Sequence, residues 1–367
     1  MADGVRPYAV AMTTPDARAA APAPTLRAES EALLAAYIAG ACGAVAGLVL
    51  GLVADTTSLW GTWGLGSWAA LAGAVAAGIS SALGFWRSRS TDGDDWRRDI
   101  ADWRYVVSTA SVVIAHVALT AIGVLALFAL LARAFIGVQV NGFWTTALMA
   151  LVVGLAAYLA YLSSSRMTTQ RLTSLLVSFI GIGTLAAMIT TSDPQWWELH
   201  FSQLGTFGDI SSFLFNGTLI AGGLLVTTFT LYVTNDLRAL HPGDTAPAGA
   251  TGADRVVTTA LAVMGIMLAF VGIFPVDVNM LLHNVSASGM AAMYLLLLAG
   301  GPWLLRSMPR AYFFASWGFL AALVASIVLF IVGYFGLTAF EIIVFALIFG
   351  WLAVFIRFLG VARAERS

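Results

Sequence analysis

The residues best suited to chemistry gather in one stretch, 192–218, which reads SDPQWWELHFSQLGTFGDISSFLFNGT. It supplies His200, the carboxylates Asp193, Glu198 and Asp209, and the polar side chains of Ser202, Gln203 and Asn216. Farther along, Asp277, Asn279 and His283 lie close together, and Glu341 stands alone in an apolar run. A neutral imidazole can serve as a metal ligand or as a base. Two histidines with several carboxylates are enough donors for a metal, but no HxxxH, HExxH or CxxC spacing organises them. Ser202 could act as a nucleophile with His200 or His283 as base, although no GxSxG elbow surrounds it. Haem held between helices needs paired histidines; only His116 falls near mid-membrane, where a hydrogen bond to a neighbouring helix is expected. Glycine loops for nucleotides are absent, so an ATP-driven pump is not expected. No cofactor and no metal is assigned.

Some of these residues have local explanations. Asp193, Asp209 and Asn279 stand where they could cap helices. Trp196 and Trp197 suit an aromatic belt at the membrane surface. Asp193 as N-cap, Pro194 at the first helical position and Gly205 at the stop predict a short helix lying flat on the bilayer. Trp197, Phe201, Leu204 and Phe207 would form its apolar face.

The elements that must position these groups are membrane spans. Of the 367 residues, 60% are hydrophobic and 10% charged, where a soluble protein carries roughly 25% charged. Ten apolar runs approach the ~20 residues that cross a bilayer: 32–53, 68–86, 105–131, 143–162, 172–190, 210–233, 256–274, 283–305, 311–333 and 338–356. The fold class is therefore all-α, a polytopic bundle of about ten transmembrane helices. A net charge of −1 offers no basic field for nucleic acid. The lone Cys42 excludes an internal disulfide. All 18 basic residues are Arg, which together with abundant Ala and Gly points to a GC-rich, bacterial genome.

Arginine placement orients the bundle. Seventeen of the 18 fall on one side of the ten-span alternation, and only Arg133 falls on the other. The positive-inside rule then puts both termini in the cytoplasm, in a multi-pass protein of the inner (plasma) membrane. His200, Ser202, Gln203, Asp209, Asn216, Asp277, His283 and Glu341 share the opposite, exoplasmic side and are the candidate binding residues. A carboxylate one turn inside the last span is costly unless paired or wetted, so Glu341 is expected to face the bundle near Asn216 or His283.

The chain divides into a disordered cytoplasmic tail (1–30), a four-helix unit (31–165), a six-helix unit (166–360) and a short tail (361–367). Small residues every fourth position on the first span (Gly43, Gly47, Gly51) and the second (Ala69, Gly73, Ala77, Ser81) predict a tight hairpin of these two helices. The same glycines are the candidate seam for a homo-oligomer. Trp96, Ile100 and Trp103 predict a short helix in the headgroup zone between the second and third spans. The segment 235–255 reads as a mobile cytoplasmic connection, with His241 solvated.

Four short motifs in the six-helix unit carry a resemblance: Ser202-Gln203-Leu204-Gly205, Phe215-Asn216, Gly272-Ile273-Phe274-Pro275, and His283. With them the unit resembles the bacterial domain of unknown function 998 family and, more distantly, the DRAM, Frag and Sfk membrane proteins. Gln203 stands where relatives often have an acidic residue, and the first four helices lie outside the resemblance. What the resemblance implies is six helices from an inside N-terminus and, through the distant eukaryotic relatives, a link to lipid organisation or remodelling.

The expected function is non-enzymatic binding or organisation of membrane lipid through an exoplasmic polar pocket. Alternatives are a secondary transporter of a small cation or amphipathic solute, and a metal-dependent lipid hydrolase using His200 and His283.

Overall fold

A computed structural model describes residues 24–89, 95–206, 208–240 and 252–364. Among the described residues ten α-helices form, and each is long and apolar enough to cross a membrane. They are α1 (Pro24–Val53), α2 (Leu65–Ser88), α3 (Asp102–Ala134), α4 (Gly142–Ser165), α5 (Thr169–Thr190), α6 (Ile210–Ala239), α7 (Gly252–Ile273), α8 (Val276–Leu304), α9 (Arg310–Ile331) and α10 (Leu337–Ala364). The chain is thus an all-α integral membrane protein. Two three-residue strands, β1 (Thr56–Ser58) and β2 (Gln139–Asn141), pair antiparallel with Thr57 opposite Val140. They clip the α1–α2 connection to the α3–α4 connection.

The N-terminal helices do not pack as predicted. α1 lies along α4 and barely touches α2, which packs on α4 and α3. The reason is backbone approach. A Cβ on Gly47 would stand 2.7 Å from Thr146 Cα, and one on Gly51 would stand 2.5 Å from Gly142 Cα. The glycine stripe therefore serves contact with α4 rather than a hairpin with α2. Small residues announce close approach without naming the partner.

α3 joins the two halves. Ser111 on α3 and Thr228 on α6 share a hydrogen bond of 2.9 Å. Tyr105 and Val112 of α3 belong to the same buried cluster as Phe229 of α6, Tyr294 of α8 and Trp351 of α10. α6 is the hub, packed against α5, α7 and α3. α10 returns across α5 and α6, and α9 lies outside, against α10 and α8.

Cross-chain bonds show which ends lie together. Arg97 is buried and donates to Ser88 O at 3.1 Å and Met167 O at 2.5 Å, which ties the α2–α3 link to the α4–α5 link. Trp96 packs edge-on against Tyr232 of α6. This segment is a three-residue turn, Asp95–Arg97, tucked into the bundle, with Trp103 left exposed. It replaces the predicted headgroup helix on a Trp96–Ile100–Trp103 face, because Arg97 finds carbonyl partners inward. Two other predicted boundaries also move. α1 begins at Pro24, inside the segment read as a tail, and α6 runs to Ala239 before the connection starts. Residues 1–23, the rest of that connection including His241, and 365–367 lie outside the described residues.

Candidate functional site

The site forms at the arginine-poor end, where the α5–α6 connection folds over α7, α8 and α10. That connection is not one flat helix. Two 3-10 turns, Trp196–Glu198 and Phe201–Gly205, flank His200, whose backbone is extended (φ −158°, ψ 158°). A continuous helix would bond the Phe201 N–H to Trp197 O. Here that N–H is donated to Glu341 Oε2 at 2.6 Å, across 140 residues of chain. Phe201 and Leu204 turn inward and are buried, and Trp197 is exposed. Phe207 lies outside the described residues.

Ser202 follows Phe201 directly and meets the other key side chain. Its Oγ lies 2.9 Å from His283 Nε2, and His283 Nδ1 lies 2.9 Å from Phe274 O. A carbonyl can only accept, so Nδ1 carries a hydrogen, and in the neutral imidazole Nε2 then accepts from the Ser202 hydroxyl. Glu341 and His283 thus grip one dipeptide, Phe201-Ser202, from two sides. Phe274 O is free to accept because it follows the last turn of α7, where carbonyls lack intrahelical partners.

The remaining predicted residues hold the frame. Asp209 caps α6: Oδ1 accepts from Ser212 N at 3.1 Å, and Oδ2 accepts from Ser192 N and Oγ at 3.1 and 2.7 Å. Desolvation pushes its carboxyl up, but these donors outweigh that and hold it below the usual carboxylate range. Asn216 Nδ2 donates to Gly205 O at 2.9 Å and so stops the second turn. Asn279 departs from helical geometry (φ −156°, ψ 90°) and caps the rest of α8 through Leu282 N at 3.0 Å. His200 is partly buried, and burial, then the nearby His283, hold its pKa below the ordinary value. Asp277 is exposed and Gln203 half-buried; neither side chain joins Ser202 and Glu341. His116 bonds Val112 O of its own helix at 2.8 Å, not a neighbouring helix as expected, and among the described residues its Nε2 has no partner.

Behind the dipeptide lies a cavity of about 270 Å³. Phe215, Leu219, Leu268, Phe345 and Ile348 form its apolar interior, while Ser202, Glu341, Asn284 and Ser288 supply its polar groups. Asn284 and Ser288 are exposed, which marks the mouth between α8 and α10. Sequence reasoning missed this pair. The signal was present as two polar residues four apart on α8, which share one helix face. A larger groove of about 860 Å³ lies between α1 and α2, but Ser80 and Cys42 are the least apolar side chains among its walls.

The four motif stretches singled out in the sequence interlock here. Ser202 meets His283, His283 meets Phe274, and Asn216 meets Gly205. A Cβ on Gly272 would stand 2.6 Å from Asn216 O. Among the described residues, no group of three or more His, Cys, Asp or Glu side chains comes together as a metal site. Compared with protein-family models, curated proteins and solved structures, the chain matches none.

Proposed function

We propose that this integral membrane protein binds a membrane lipid by one chain in the α8–α10 cavity, with the arginine-rich end toward the cytoplasm and the cavity toward the outer leaflet. The observation that carries the reading is the cavity's division into an apolar interior and a polar rim of Ser202, Asn284, Ser288 and Glu341. An amphiphile matches that division: hydrocarbon against Leu268 and Ile348, an ester or headgroup against the rim. The volume, about 270 Å³, falls just below the roughly 300–1,000 Å³ of pockets that enclose a drug-sized ligand. Its size suits one chain, with the rest of the lipid left in the bilayer.

Filling the cavity tests this. Native mass spectrometry of the purified protein should show retained phospholipid. Ala287→Trp or Val344→Trp, both on the cavity wall, should lower retention by about tenfold, the effect of roughly 1.4 kcal/mol. Val75→Trp, in the α1–α2 groove, should leave retention unchanged. Equal retention by all three folded variants would remove the reading.

A further inference from the structure

We infer that Ser202 and His283 form a nucleophile–base dyad that hydrolyses an ester bond of a bound lipid. The inference rests on the lipid reading above but adds a covalent step to it. Three features of the geometry carry it.

The first is the tautomer. Phe274 O fixes the hydrogen on Nδ1, so the bare Nε2 faces the Ser202 hydroxyl at 2.9 Å. A general base that activates a serine needs this form, and its partner on Nδ1 needs only to orient the ring. The second is electrostatic. Phe274 O belongs to the carbonyl end of α7, which carries negative partial charge. That end stabilises the positive charge His283 gains when it takes a proton. The third is access. Ser202 is part of the cavity's polar rim, whereas His283 is buried and outside the lining. A chain seated against Leu268 and Ile348 would bring its ester to the rim.

A structural hydrogen bond alone would not need this arrangement. A serine that only braced the loop could sit away from the cavity, and its histidine could present either nitrogen. Here the serine lines the cavity, and the base is held in the one neutral tautomer that can accept its proton.

The chemistry balances with water as co-reactant. Ser202 Oγ attacks the ester carbonyl carbon, and its proton passes to His283 Nε2. The bond from that carbon to the alcohol oxygen breaks, and His283 returns the proton to the departing alcohol. The acyl group remains on Ser202. Water then attacks the same carbon and gives a proton to His283. The bond to Ser202 breaks, Oγ regains the proton, and a fatty acid leaves.

The test uses the full chain in nanodiscs with two readouts. One is intact mass after exposure to an alkyl fluorophosphonate. The other is fatty-acid release from vesicles of phosphatidylethanolamine and phosphatidylglycerol. Wild type should gain one adduct, mapped to Ser202, and should release fatty acid. Ser202→Ala should lose both. His283→Gln, which keeps an amide for hydrogen bonding but cannot act as base, should slow both by about 10²-fold or more. Lipid retention by the wild type is measured in parallel. No adduct at Ser202 and no fatty-acid release from wild type, with lipid still retained, would overturn the dyad and leave the binding reading in place. An adduct and turnover without retained lipid would uphold the dyad and remove the binding reading. Turnover that survives in both variants would also overturn the dyad.

Discussion

The two ends of the bundle hold their polar groups by different means. At the arginine-rich end charge meets charge or carbonyl. Arg87 pairs with Glu31 at 2.8 Å, Arg89 with Asp102 at 2.8 Å, and Arg363 with Asp236 at 2.7 Å. Tyr161 adds a hydrogen bond to Glu31, and Thr169 adds one to Asp236 at 2.5 Å. At the arginine-poor end no carboxylate among the described residues pairs with an arginine. Glu341 holds a backbone N–H, His283 a backbone carbonyl, and Asn216 another carbonyl. Paired charges satisfy one another and leave little over. Groups anchored to backbone leave side chains such as Glu341 on the cavity lining. The first end reads as a fastening and the second as a site.

Substitutions can break that contrast, beginning with the largest effect. Arg97→Ala would leave Ser88 O and Met167 O without their buried donor and should cost ~3 kcal/mol. Thermal unfolding in detergent would measure it, and a loss near zero would mean the clasp does not fasten the halves. Glu341→Ala should cost about 1–3 kcal/mol by orphaning the Phe201 N–H, while Glu341→Gln keeps an acceptor and should cost less. Equal losses would assign Glu341 a charge-based role like that of the opposite end. Asp209→Ala removes a helix cap and the bond to Ser192, at ~1 kcal/mol.

Acid gives the smallest effect and sharpens the comparison, because the histidine window lies above the ordinary carboxylate range, so the carboxylates paired with arginine keep their charge there. His200 has its folded pKa below the ordinary value, so the unfolded chain binds more protons in that window. Its contribution is present above about pH 6.5 and is lost as pH falls below that. Amide protection factors across 196–205, corrected for the intrinsic exchange rate, should therefore fall on acidification, and His200→Gln should flatten the change. An unchanged slope in His200→Gln would assign the effect to another group.

Much of the fold was legible because lipid imposes simple rules. Ten runs of hydrocarbon length could only be spans, and the alternating arginines sorted their ends. Local chemistry was legible too: Asp209 caps α6 because capping needs only a neighbour three residues on. Cost also spoke, since a carboxylate at the depth of Glu341 had to find a partner. The identity of that partner, a backbone N–H 140 residues away, left no periodic mark. The same holds for the β1–β2 clip, made of three-residue strands in distant loops, and for the α1–α4 contact. The flat helix failed for a related reason. Asp193 does accept the Gln195 N–H at 2.8 Å, but the first turn starts at Trp196 with Gln195 at its cap position, and the tertiary bond to Glu341 takes the N–H that a continuous helix required.

The central claim is that the polar rim and the apolar interior act together on a lipid. A photoreactive phospholipid with its diazirine at the chain end, mapped by peptide sequencing, tests it most directly. The account predicts adducts concentrated on the cavity interior, at Leu268, Phe345 or Ile348, and reduced by Ala287→Trp. Adducts spread evenly over the lipid-facing helices, with the α1–α2 groove labelled as strongly as the cavity, would contradict it.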